Sequence, residues 1–245
     1  MAIQTQRAYV LRTFDLRETS KIASLFTEHQ GKIKGIFKGI RVGKKNFVTT
    51  LDVGSLNEVV YYPSRKELWL VSYADQLSSC TYCSDDLEKM TTVHYMLELV
   101  DKIMPMHLPS VPVYHLLEEA LTLLENNSWM AIVYIYQVRL LELSGFRPSL
   151  KECTSCGSKV LNEAFFSARL GGLLCSRCAA NINDAFKLSS EVLASLIYIQ
   201  NNDFKVSLRL RPTQQARTEM RRILDDFFQY HTNTRIRSLK AMSMA

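Results

Sequence analysis

The chain has 245 residues, 47% of them hydrophobic, with a formal net charge of +6. That is an ordinary globular composition, ample for one large or two modest domains. Residues 1–7 show no apolar signal-peptide core, and the longest apolar stretch, 129–138, is interrupted by Gln137 and ended by Arg139. We therefore expect a cytoplasmic protein with no secretion signal and no membrane span.

The charge is unevenly spread. Residues 1–50 hold 10 Lys/Arg against 3 Asp/Glu, residues 51–150 hold 6 against 13, residues 151–204 hold 5 of each, and residues 205–245 hold 9 against 3. Basic ends around an acidic middle suggest a polyanionic partner, with nucleic acid the default and a solvated charged surface the bland alternative.

In chain order, five β-branched or aromatic runs come first, at 6–14, 19–27, 31–38, 55–62 and 67–74, separated by clusters such as 15–18, 28–31 and 62–65. Five strands in some seventy residues predict an OB-fold barrel, a surface that binds single strands. An SH3-like barrel would give the same pattern. In the third run, strand alternation puts Lys32, Lys34 and Lys38 on one face with Ile36, and Ile33 and Phe37 on the core face, with Gly35 between them. The loop after it carries Arg41, Lys44 and Lys45 among glycines, so these six cations are the candidate phosphate contacts. Phe47, Tyr61, Trp69 and Tyr73 are available either as base-stacking platforms or as barrel core.

From about residue 84 the period changes to that of a helix, with Asp85 and Glu88 suited to its first turn. Pro105, Pro109 and Pro112 interrupt, and helices are expected at 113–124 and 128–143, the latter stopped by Gly145. Ser189 or Ser190 would cap a helix to about 200, and Pro212 would open a last helix to about 230, on which Arg217 and Arg221 form a second candidate phosphate patch. The expected domains are 1–80, the barrel, and 81–245, a helical domain with an inserted metal module at 151–180.

That module is the most specific signal. Cys153 and Cys156 form one CxxC pair, Cys175 and Cys178 another, with eighteen residues between the pairs. This spacing predicts one structural zinc ion: two residues between cysteines let a single turn aim both sulfurs at one point, and four thiolates leave no open position for water or substrate. Two disulfides or four idle thiols are the alternative. A third pair, Cys80 and Cys83, lacks the βαβ setting of a thioredoxin-like redox motif. All six cysteines suit a reducing compartment. The chain contains no GxxxxGK[ST], HExxH or GxSxG sequence, nor the deaminase signature, and its five histidines are scattered, so we expect no enzyme.

The order of parts resembles the RecO family of bacterial DNA-repair and recombination mediators. The resemblance is carried by Tyr9-Val10-Leu11 followed by residues 15–18, by Gly31-Lys32-Ile33 through Lys38-Gly39-Ile40-Arg41, by residues 140–148 before the first CxxC, and by Phe165-Phe166-Ser167 with Gly171-Gly172 before the second. The chain departs from the family where Val42-Gly43 precede Lys44-Lys45. The resemblance implies a protein of the RecF pathway that binds single- and double-stranded DNA and anneals complementary strands without ATP. With its partner RecR it would load RecA onto DNA coated by single-strand-binding protein. The alternative is a zinc-containing interaction scaffold without annealing activity.

Overall fold

The computed structural model describes residues 3–43, 45–80, 86–160, 163–234, 236 and 238. Lys44, Cys83 and Asp85, singled out above, lie outside the described residues. The described chain falls into two compact units, one running through Glu125 and taking in Ser238, the other covering 126–236. The change of period near residue 80 therefore lies inside the first unit.

Strands β1 (Gln4–Leu16), β2 (Ser20–Thr27) and β3 (Gly31–Phe37) form an antiparallel meander, and β5 (Leu56–Tyr62) and β6 (Leu68–Ser78) a further hairpin. The amino-terminal half of β1 pairs with β5 and its carboxy-terminal half with β2, with a bulge between Val10 and Arg12. One long strand can serve two neighbours this way because a bulge bends it and raises its twist. β3 then pairs in parallel with β6, which closes the barrel. The connectivity is that of an OB-fold. A two-residue strand, β4 (Phe47–Val48), lies parallel to the far end of β6; it is too short to leave a period in the sequence.

Alternation fills the barrel. Leu25, Ile33, Phe37, Val59, Tyr61 and Val71 are each 0–1% exposed, with Trp69 at 6% and Phe47 packed on the same core. Tyr61 stacks on Trp69 at 5.4 Å between centroids. These three aromatics are thus core and not stacking platforms.

Helices α1 (Leu87–Ile103) and α2 (Val111–Leu124) belong to the same unit. Asp86 caps α1 by accepting from the Lys89 N–H at 2.9 Å, and Pro112 sits in the first turn of α2. Tyr114 of α2 meets the outward-facing rings of Tyr9 and Phe26 at 5.5 and 6.1 Å. One outer face of the barrel is therefore covered by helix.

In the second unit α3 (Trp129–Leu143) is buried nearly all round, as its largely apolar sequence requires. It packs with α5 (Ser190–Asn201), α6 (Phe204–Ser207) and α7 (Gln214–Thr232). Ser189 and Thr213 are the helix caps, so Pro212 stands one residue ahead of the cap and not in the first turn. Buried Gln137 donates to Asp225 Oδ1 at 2.9 Å, the polar tie between α3 and α7. Between α3 and α5 lie a small sheet of β7 (Ala164–Ser167), β8 (Gly172–Cys175) and β9 (Phe186–Leu188), in the order β8-β7-β9, and the one-turn helix α4 (Ser176–Ala179). Among the described residues no helix is long and apolar enough to cross a membrane.

Candidate metal centre and nucleic-acid interface

Cys153 and Cys156 sit on a turn closed by the Gly157 N–H donating to Cys153 O at 2.8 Å, with Gly157 at φ +71°. Only glycine adopts that conformation without strain. Cys175 ends β8 and stands at the N-cap of α4, and Cys178 follows one turn later. The two knuckles are brought together by the stretch around Ser149, which exchanges hydrogen bonds with Gly171 and Leu173 at 2.9 Å, and by the Thr154 N–H donating to Leu173 O at 2.8 Å.

Gly172 makes that approach possible, because a Cβ there would stand 2.3 Å from Ser149 O. We expect Gly172→Ala to force the two knuckles apart. Limited proteolysis should then cut between residues 150 and 188 under conditions that leave the wild type intact.

The four sulfurs lie within 4.8 Å of one another, Cys156 and Cys175 at 3.9 Å. A tetrahedral ion with metal–sulfur bonds of about 2.3 Å needs edges of about 3.8 Å, so the cage fits a metal ion. Its packing is one-sided: Cys153 is 1% exposed against Leu174 and Ala179, whereas Cys156 is exposed. Hydrogen bonds from Ser158, side chain first and then backbone, hold the Cys156 thiol down at about 6. Arg177, hydrogen-bonded to that sulfur, is raised in turn. Both effects favour the thiolate at Cys156, the form that binds metal, whereas Cys178 is shifted the other way. Four cysteines would complete the shell of an ion held there, leaving no position for water or substrate.

In the first unit the five described cations of the six predicted part company. Ile33 and Phe37 do point into the core and the lysines of β3 outward, but the outer side of β3 at Lys32 is covered by α1. Lys32 is 9% exposed, its ammonium donates to Asp101 O, and it lies 3.5 Å from the Asp101 carboxylate. Burial lowers its pKa, and Asp101 opposes that fall. Arg12 at 3.0 Å and Ser24 Oγ at 3.3 Å complete the ring around the same carboxylate. The expectation of Lys32 as a phosphate contact is corrected here: its charge is already committed inside the fold.

Lys34 is half-buried and pairs with exposed Glu67, whose carboxyl it holds below the ordinary range. Lys38 and Lys45 are exposed. Arg41 stands on a 3-10 turn (Ile40–Val42), donating to Arg17 O at 2.8 Å and lying 3.5 Å from Asp15. Lys34 thus stands midway along β3, Lys38 just past its end and Arg41 on the turn that follows, with Lys45 further along the loop. In the second unit Arg217 is half-buried, its Nε enclosed without a hydrogen-bond partner, and Arg221 lies 3.7 Å from Asp225. Sequence reasoning missed Arg12 and Arg17, both exposed; pairing sets Arg12 of β1 opposite Ser24 of β2, itself opposite Lys34 of β3, and no local motif marks either arginine.

A closed OB barrel with cations along and after β3, followed by helices that carry a four-cysteine cage able to hold a metal ion, defines a multidomain OB-fold protein. Two family models match most of it, Recombination protein O N terminal over residues 1–79 and Recombination protein O C terminal over residues 84–240. The chain belongs to the RecO family, and its role lies in DNA repair and recombination. Relatives named DNA repair protein RecO include one from Exiguobacterium sp., 28% identical over 98% of this chain and 95% of its own. Another, from Acetivibrio thermocellus, is 29% identical over 78% and 76% of the two chains, and one from Koribacter versatilis is 29% identical over 80% and 81%.

Proposed function

We propose that this protein is a cytoplasmic, nucleoid-associated recombination mediator that binds single- and double-stranded DNA, anneals complementary strands without ATP and makes or breaks no bond. In this reading it acts with RecR to load RecA onto DNA coated by single-strand-binding protein. The barrel at 1–80 is its DNA-binding domain, and the helical part at 81–245 carries one structural zinc ion on Cys153, Cys156, Cys175 and Cys178. The observation that carries the reading is the run of cations along β3 and through the turn after it, on an OB barrel in a chain of this family. Annealing brings two polyanions together, and a basic surface screens their repulsion.

Lys34, Lys38, Arg41, Lys44 and Lys45 are the proposed phosphate contacts. Arg217 and Arg221 form a weaker second patch, since both are half-buried. Four thiolates and a borderline-soft dication favour zinc over the harder metals. The test is the salt dependence of single-strand binding. At about 0.7 in log–log slope per phosphate neutralised, replacing Lys34, Lys38 and Arg41 together by alanine should flatten the slope by about 2. An unchanged slope would remove these three from the site.

A further inference from the structure

The strand registers assemble a feature that no single strand shows. Pairing aligns Phe14 with Ile22, Ile22 with Ile36, Ile36 with Leu70 and Leu70 with Tyr62, one apolar row across all five strands. The preceding or following residues, Ala23, Phe37, Val71 and Tyr61, are buried in the barrel, so this row faces outward. Strands in a small barrel are tilted to its axis, so a row perpendicular to them runs obliquely along one side instead of encircling it. Two rows away, outward-facing Tyr9 and Phe26 are covered by α2. The cover does not extend to this row: Phe14 is 53% exposed, and Leu70 and Tyr62 are each 39% exposed.

The margins of the row are cationic. On one side Arg12 and Lys34 occupy the adjacent outward row, with the Arg12 guanidinium 5.5 Å from the centre of the Phe14 ring. On the other, Ile36 is shared with a groove of about 720 Å³ lined by Leu16, Val42, Arg17 and Lys38. Asp101 and Glu67 offset part of the charge of Arg12 and Lys34; among the described residues no carboxylate pairs with Arg17 or Lys38. An apolar strip with aromatic ends between cations is complementary to a polyanion that also presents flat apolar faces. Unpaired nucleotides have that character, whereas a duplex keeps its bases stacked on each other.

We propose that this row is the stacking floor of a single-strand site, with Phe14 and Tyr62 each taking a base and Ile36 and Leu70 packing against the bases between them. With strands about 4.8 Å apart, the row is about 19 Å long, suited to the short end of the roughly 4–16 nucleotides an OB barrel holds. The proposal rests on the DNA-binding reading above and assigns the bases, where that reading assigns the phosphates.

The experiment compares the intact protein with Phe14→Ala/Tyr62→Ala, measuring affinity for an oligo-dT strand, an abasic strand of equal length and charge, and a duplex. The wild type should bind oligo-dT at least tenfold more tightly than the abasic strand. The variant should lose that preference, with its duplex affinity and salt slope unaltered, which also shows that it folds. Equal wild-type affinity for the oligo-dT and abasic strands would overturn the stacking floor while leaving the phosphate contacts in place. So would a variant that keeps the preference, the result expected if the row docks a protein instead. Absence of salt-sensitive binding to any of the three would remove the DNA-binding reading itself.

Discussion

Asp101→Ala is expected to destabilise the first unit by about 3–5 kcal/mol, enough to remove much of the stability of an ordinary domain. The carboxylate is 7% exposed and is faced by Lys32 at 3.5 Å, Arg12 at 3.0 Å and Ser24 at 3.3 Å. Without it the Lys32 ammonium stays buried with no counter-charge, the costly half of a broken ion pair. Lys32→Met should cost less, because it removes the buried charge along with its partner's task and keeps the side-chain volume. Lys32→Met should also leave the salt slope of DNA binding as in the wild type, since that ammonium meets no phosphate. Denaturant midpoints and binding slopes on the two variants check both parts, and a flattened slope for Lys32→Met would restore the lysine to the interface.

Loss of the metal proposed for the four-cysteine cage is the second large effect. Structural zinc contributes apparent binding free energies of about 10–16 kcal/mol in small peptides, and that energy is folding energy where the apo site is not preformed. Here the sheet β8-β7-β9 and the one-turn helix α4 bury few apolar groups beyond Cys153, Leu174 and Ala179 with their half-buried neighbours. The module therefore depends on the cage. The wild type is expected to carry near-stoichiometric zinc, and Cys153→Ser/Cys175→Ser should abolish it and open residues 150–188 to protease, with the barrel still folded. A chelator should do the same more readily as pH falls, because ligand thiolates are lost to protons. Full zinc content in the double variant would exclude these cysteines as ligands.

Much of this was legible in the sequence, because it rested on local chemistry. Alternation locates the five barrel strands, and the CxxC spacing locates the cage. What escaped depends on long-range pairing. Parity correctly turned Lys32 outward, but outward is not the same as solvent-exposed when a helix seventy residues later brings Asp101 to the spot. The one local hint was an acid at 101 amid the apolar run of α1. Tyr61 and Tyr62 are neighbours of opposite fate, one core and one exposed, and only the register with β6 decides which is which. Phe14 drew no attention as a strand end; its partners Ile22, Ile36 and Leu70 come from three other strands. β4 and β9, of two and three residues, are too short for any period to show.

The most direct test is annealing of two complementary single strands by the purified protein without ATP, bare and then coated with single-strand-binding protein, across a salt series. The account predicts acceleration on both substrates, weakening as salt rises. A zinc-loaded, folded protein that accelerates neither at any salt would contradict it and favour the interaction scaffold.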